Sequence, residues 1–220
     1  MDEKRVLAIV QTLKELYPEA ECALKYEGDP WRLLVMGRLS AQCTDARVNL
    51  VCEKLFKAYP NAEAMAKAEP SDIEPYIFSC GLYKTKARDL VGASRMLVEE
   101  FGGVLPDQME DLLTLPGVGR KIANLLLGDI YKKPAIVADT HCIRISGRLG
   151  LVPKNAKTPE KVEKILCGII PPEEQSDFCH RIVWFGREYC QARGNDCTTC
   201  PMQSLCDKVL DENRKDLPQT

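Results

Sequence analysis

No stretch of this 220-residue chain reaches membrane-spanning length as an apolar run; a bilayer-crossing helix needs about 20 consecutive apolar residues. The N-terminus, Met1-Asp2-Glu3-Lys4-Arg5, leads into an amphipathic stretch without the apolar core of a signal peptide. Both absences point to a soluble, cytoplasmic protein. Positive charge is not in excess either, with 30 Lys and Arg against 32 Asp and Glu and a formal net charge of -2. A globally basic nucleic-acid binder is thereby excluded, and any DNA surface must be a local basic patch set against an acidic remainder. Histidine is nearly missing. His141 and His180 are the only two, each reads as a structural hydrogen-bonding residue, and neither is assigned to catalysis. Period-two runs are scarce, Ala135-Ile136-Val137-Ala138 being the only short extended piece, and there is no internal repeat or long flexible linker. An all-α architecture is expected.

What is present is a succession of helical patterns with clear ends. Val6, Ile9, Val10, Leu13, Leu16 and Tyr17 repeat at helical spacing up to Pro18, and Asp29-Pro30 supplies an N-cap and a first-turn proline. Val48, Val51, Cys52, Leu55 and Phe56 form a face ending near Pro60. Ala87, Leu90, Val91, Ser94, Leu97, Val98 and Phe101 form a longer one stopped by Gly102-Gly103. Asp139 can cap a helix through Gly150, Thr158-Pro159 opens another that Pro171-Pro172 ends, and a last helix runs toward Cys190.

The segment Leu115-Pro116-Gly117-Val118-Gly119-Arg120-Lys121 carries the first chemistry. Asp107, with Glu110 three residues on, starts a helix through Leu112 and Leu113, the glycines turn the chain sharply, and Arg120 begins a second helix. Glycines let the backbone approach a ligand, and the N–H groups opening the second helix are anion donors, so a DNA phosphate is the natural guest. On that helix Ile122, Leu125 and Leu126 face a core, while Lys121, Asn124 and Gly128 lie along another face. Lys121 has two readings, a further phosphate contact or an amine nucleophile that attacks a sugar carbon; its place at a helix N-terminus beside Arg120 supports the second. Asp139 is an N-cap by position. The same helix-terminal N–H groups stabilise its carboxylate, which can then stabilise positive charge on a sugar ring or manage the proton of a lysine.

Eleven cysteines are present, an odd number. Seven (Cys22, Cys43, Cys52, Cys80, Cys142, Cys167 and Cys179) are scattered through helical patterns and read as free thiols in a reducing compartment. The other four, Cys190, Cys197, Cys200 and Cys206, have the spacing C-x6-C-x2-C-x5-C. Four soft thiolates so close together read as a metal or iron–sulfur site. Structural zinc favours paired C-x2-C units, and only one occurs here.

The hairpin, the Asp139-Thr140-His141 segment and the cysteine cluster, in that order, resemble the endonuclease III family of helix-hairpin-helix DNA glycosylases. Leu39-Ser40-Ala41-Gln42-Cys43-Thr44-Asp45 and Gly81-Leu82-Tyr83 are similar to further motifs of that family. The resemblance covers essentially the whole chain. It implies a two-domain helical DNA glycosylase fold: a six-helix domain with the hairpin over residues 23–134, and an iron–sulfur cluster domain over 135–220 with which the N-terminal helix, residues 1–22, packs. It places an active site between the two. It implies a bifunctional base-excision repair enzyme that flips an oxidised pyrimidine out of duplex DNA. The enzyme would cleave the N-glycosidic bond and nick the strand by β-elimination, with Lys121 and Asp139 as catalytic residues. Gly117, Val118, Gly119 and Arg120 would hold DNA, Gln42 and Leu82 would fill the vacated space and probe the opposite strand, and Lys84, Lys86 and Arg88 would hold phosphates beside the Leu82 wedge. Cys190, Cys197, Cys200 and Cys206 would bind a [4Fe-4S] cluster, ahead of zinc, in a role that is structural or redox-tuning, fixing a basic loop with Arg187 and Arg193 against DNA. The expected partner is double-stranded DNA containing oxidised pyrimidines or abasic sites, bound by a monomer without membrane association, in a prokaryote's nucleoid.

Alternatives from the same residues are a monofunctional adenine or mismatch glycosylase, which lacks the nucleophilic lysine, and a redox-responsive DNA-binding protein, which needs neither Lys121 nor Asp139. Some features depart from the family or leave it ambiguous, the slight net acidity, less favourable to DNA, among them. Met36-Gly37-Arg38 interrupts an apolar helix, leaving Arg38 to find an ion pair or solvent, and Cys43 beside Gln42 is redox-sensitive where exposed.

Overall fold

A computed structural model describes residues 2–194 and 196–208, and among these every regular element is a helix. The chain divides into two compact units, Cys22–Lys132 and Met1–Glu21 with Lys133–Thr220. Residues 209–220, the end of the expected cluster domain, lie outside the described residues.

The Cys22–Lys132 unit holds α2 (Pro30–Leu39), α3 (Asp45–Ala58), α4 (Ala62–Ala66), α5 (Pro70–Ile77), α6 (Tyr83–Glu100), α7 (Met109–Leu112) and α8 (Arg120–Asp129). Asp29 caps α2 by accepting from Arg32 N at 3.0 Å, with Pro30 in the first turn. Helix α6 packs against α4, α5 and α2, and α2 packs against α8. Its end follows the expected glycine signal: Gly102 and Gly103 have φ of 61° and 80°, and Gly103 N donates to Leu97 O at 2.8 Å. Fully buried Leu33, Leu39, Leu55, Ile73 and Leu126 are among the side chains of this unit's interior. Each such burial stabilises by about 1.5–3 kcal/mol, against about 1 kcal/mol for a cap. Packing therefore holds these helices, and the caps decide where they begin.

Two local expectations are corrected. Asp107 does not open α7. Gln108 holds the N-cap position without a side-chain bond, and the helix is a single turn shortened by the hairpin that follows. Asn124 and Gly128 do not share an outer face with Lys121. They are buried with Ile122 and Leu126 while Leu125 is half-buried, because α8 is wedged between α2 and α7 and only its first turn reaches solvent. The segment Ala135–Ala138 pairs with no strand among the described residues; Val137 N donates to Cys179 Sγ at 3.2 Å.

The other unit holds α1 (Glu3–Leu16), α9 (Thr140–Leu149), α10 (Pro159–Cys167) and α11 (Gln175–Glu188). Val6, Ile9, Val10 and Leu13 of α1 join Ile145, Leu149, Val162, Leu166, Phe178, Ile182 and Phe185 in one apolar cluster. Helix α11 packs on both α1 and α9. At Gly186 a Cβ would stand 2.7 Å from His141 Cδ2 and Ile145 Cδ1, so glycine is what lets α11 approach the first turns of α9.

Candidate active site and nucleic-acid interface

The hairpin is a tight turn followed by an open helix end. Val118 N donates to Leu115 O at 3.0 Å across Pro116 and Gly117, and Gly117 has φ of 76°, the pattern of a type II turn with proline and then glycine at its centre. Val118 is buried with the core. Gly119 then caps α8 in an extended conformation with no side chain bonded to the first-turn amides, and a Cβ there would meet nothing within 4 Å. A helix N-terminus whose capping residue has no side chain, beside open space, is an anion-binding arrangement. Arg120 and Lys121 are exposed on that same first turn.

Beneath the turn lies a device that explains the residue out of pattern in α2. Arg38 donates to Asp89 Oδ2 through Nε at 2.8 Å and Nη2 at 2.6 Å, with both side chains mostly buried. The pair lies against Gly117, where a Cβ would sit 2.6 Å from Arg38 Nε and 2.7 Å from Asp89 Cβ. Of the two fates open to Arg38, the ion pair is the one found.

The two loop residues expected to probe DNA have the same unusual backbone. Gln42 has φ of 55° and Leu82 φ of 48°, both in the left-handed region that non-glycine residues occupy at a cost. Both are exposed, Leu82 at 60%. Lys84 and Arg88 are exposed on the first two turns of α6. Lys86 is not. Its side chain is fully buried and its Nζ donates to the carbonyls of Leu39, Ala41 and Cys80 at 2.8, 2.7 and 2.6 Å, so it is withdrawn from the expected set of phosphate contacts. Cys43 is half-buried, and burial together with this neighbour pushes the Cys80 thiol up to about 11.

Asp139 caps α9, accepting from Cys142 N at 2.7 Å, and its other oxygen lies 3.6 Å from His141 Nδ1. The carboxylate is 19% exposed, so it is oriented by the helix end yet reachable. Two residues that sequence reasoning passed over stand further along α9. Arg144 donates to Cys190 O at 2.9 Å, and Arg148 donates to Cys190 Sγ at 3.3 Å and Gln191 O at 2.6 Å. Their spacing of four, one helical turn, was the available signal. Arg187 instead stacks over Trp184 at 6.0 Å, and Arg193 is exposed.

Cys190, Cys197, Cys200 and Cys206 line one small cavity of about 20 Å³, with Arg148, Tyr189, Met202 and Lys208 among its other walls. Burial, and with it the neighbouring sulfurs of Cys190, Cys206 and Cys197, pushes the Cys200 thiol up. Lys208 Nζ stands 3.9 Å from Cys197 Sγ. Four convergent sulfurs with cations beside two of them suit an anionic thiolate-bound group. As they stand, no three His, Cys, Asp or Glu side chains among the described residues are grouped to hold a single metal ion.

Comparison with known proteins identifies the family. The model of the HhH-GPD superfamily base excision DNA repair proteins matches residues 35–172. Endonuclease III of Synechocystis sp. is 44% identical over 205 residues, which cover 93% of this chain and 92% of the relative. Endonuclease III of Bacillus subtilis is 38% identical over 214 residues, covering 97% of each. A solved trapped endonuclease III–DNA covalent intermediate matches with a TM-score of 0.90 and 36% identity over 97% of this chain and 100% of that one. A thermostable thymine-DNA glycosylase shares the fold with a TM-score of 0.83 at 22% identity. The chain thus belongs to the HhH-GPD superfamily of base excision DNA repair proteins, within which it is an endonuclease III-type DNA glycosylase and lyase.

Proposed function

We propose that the chain acts on double-stranded DNA carrying oxidised pyrimidines or abasic sites, and that Lys121 is the nucleophile. The reading rests on one observation above others: Lys121 is exposed in the first turn of α8, directly after an uncapped glycine hairpin. With a phosphate held at the hairpin of Gly117, Val118, Gly119 and Arg120, a neighbouring sugar would come within reach of the lysine. The Nζ lone pair forms a bond to C1′ as the C1′–N bond to the damaged base breaks, and the base leaves with the bonding pair and takes a proton from water. Asp139 stabilises the positive charge that develops on the sugar and takes up the proton shed by the lysine nitrogen. Ring opening gives a protonated Schiff base. Loss of a C2′ proton then expels the 3′ phosphate by β-elimination, and water releases the lysine. A relative described as a trapped covalent intermediate with DNA supports a covalent step of this kind.

Extrusion of the base leaves a gap in the stack, and Gln42 and Leu82, exposed at two left-handed positions, would fill it and read the opposite strand, while Lys84 holds a flanking phosphate. Cys190, Cys197, Cys200 and Cys206 would hold a [4Fe-4S] cluster, whose contribution when bound is to tie four chain positions into one rigid loop. Around it Arg148 and Lys208 offset the charge of the thiolates. None of the described helices is long and apolar enough to cross a membrane; the reading is of a monomer that works on nucleoid DNA.

Borohydride trapping tests the reading. Added during reaction with a duplex containing thymine glycol, it should capture a covalent protein–DNA complex with the native chain and none with Lys121→Ala. An active, cluster-loaded protein that cannot be trapped would refute the lysine mechanism.

A further inference from the structure

Lys86 is among the largest fully buried side chains of the described residues, an unusual position for a lysine. Its three ammonium protons meet three acceptors, all backbone carbonyls: Leu39 O, Ala41 O and Cys80 O. Two of these come from the end of α2 and the turn after it, the third from the short 3-10 turn Phe78–Cys80. One nitrogen therefore holds together two segments far apart in sequence. The residue that follows Ala41 is Gln42, and two residues after Cys80 comes Leu82. Each has a left-handed backbone, which persists in a non-glycine residue only where the surroundings enforce it. The carbonyls that Lys86 grips are the nearest fixed points on the N-terminal side of both. Burial also pushes the Lys86 ammonium below its ordinary range, so the cation is kept there at some cost.

We propose that Lys86 is a positioning residue for base extrusion: by fixing the Gln42 and Leu82 loops to one point, it sets the spacing with which the two side chains enter the DNA stack. The inference rests on the roles given above to Gln42 and Leu82. A lysine suits the task because its tetrahedral ammonium donates three non-coplanar bonds from a single nitrogen, whereas the five donors of a guanidinium are confined to one plane and spread over three nitrogens. Lys86 itself touches neither DNA nor the reacting sugar.

The test compares two reactions of the cluster-loaded protein. Release of thymine glycol from a duplex needs extrusion, whereas β-elimination at an abasic site in a single-stranded oligonucleotide needs the lysine and no wedge. Lys86→Met should slow single-turnover release from the duplex by about tenfold or more, as small misplacements of positioning groups do, and leave the single-stranded reaction at the native rate. A parallel fall in both reactions, or no fall in either, overturns the proposal. Should Lys86→Met fail to fold by circular dichroism, Lys86→Arg takes its place. It keeps the charge but not the three-way donation, and should slow only the duplex reaction; a native duplex rate for that variant overturns the proposal equally. Gln42→Ala and Leu82→Ala run alongside. If they keep native duplex rates, the wedge reading itself falls; if they lose them while the Lys86 variants do not, only the positioning role falls.

Discussion

Replacing Gly117 by alanine strikes the hairpin at its most constrained point, and the structure allows the damage to be apportioned. A left-handed backbone at φ of 76° costs an L-residue about 1–2 kcal/mol. The new methyl would also stand 2.6 Å from Arg38 Nε and 2.7 Å from Asp89 Cβ, so the ion pair beneath the turn must open. Hydrogen bonds to charged groups are worth about 1.5–3 kcal/mol, and a partial loss brings the expected total to about 3 kcal/mol. Trp31 is buried in the same unit and donates to Ser94 Oγ, while Trp184, the other tryptophan, is 45% exposed in the second unit. Trp184→Phe thus leaves Trp31 fluorescence as a reporter of this unit in urea unfolding. In an Arg38→Ala background the same glycine change keeps the backbone strain and the Asp89 Cβ contact and loses the Arg38 contacts, so it should cost less than in the native chain, and the difference between backgrounds measures the ion pair. Affinity for undamaged duplex DNA should fall with the stability. Equal penalties in the two backgrounds, or a loss under about 1 kcal/mol in the native one, would refute the placement of the ion pair under the turn.

Asp139 separates capping from catalysis. Asn caps as well as Asp, so Asp139→Asn should leave stability within a few tenths of a kcal/mol yet cut base release at least about tenfold, while Asp139→Ala should lose both that activity and about 1 kcal/mol. Full activity in the Asn variant would remove the carboxylate from the mechanism. Anaerobically purified protein should be brown, with broad absorption in the visible blue, and Cys197→Ser should bleach it; a colourless preparation with one zinc per chain would overturn the cluster assignment. Burial alone would raise the pKa of Glu174, but hydrogen bonds from Lys14 and Arg181 reverse this and hold it below the ordinary 4.5. A depressed folded-state value means stability that is complete above the unfolded value and lost as pH falls through the folded one. Glu174→Gln should therefore be less stable than the native chain at neutral pH, with the gap closing in acid below 4.5; a gap that does not depend on pH would contradict the ion-pair origin.

Much of this was legible before any coordinates. Asp29-Pro30, Gly102-Gly103 and the Asp139 cap are local signals, and each marks a helix end where it was read. Helices α4 and α5 carry weaker ones. The first is five residues long, and the second is capped by Glu69 in a box with Asp72 and contains Pro75, so neither propensity nor pattern singles it out. Lys86 was misread because it stands between Lys84 and Arg88, which together look like a solvated face. Its spacing from Leu90, Ala93 and Leu97, all buried, in fact puts it on the core stripe of α6. Arg38 found a partner fifty-one positions away, and no local rule reaches that far. The roles of the loop residues came from family resemblance, whereas their left-handed backbone is a fact of tertiary structure that composition does not carry.

Helix α9 has a consequence for genetics. Its ten residues form a rod about 15 Å long. Asp139 sits at its first turn, and Arg144 and Arg148 grip the Cys190 loop farther along. On the proposed role of Asp139, one rigid element carries both the carboxylate and the grip on the cysteine loop, so loss of the Arg148 contacts is expected to disturb both. Inherited substitutions of Arg148 would then score as defects of chemistry in a mutation-rate screen, although the altered residue never meets the damaged nucleotide.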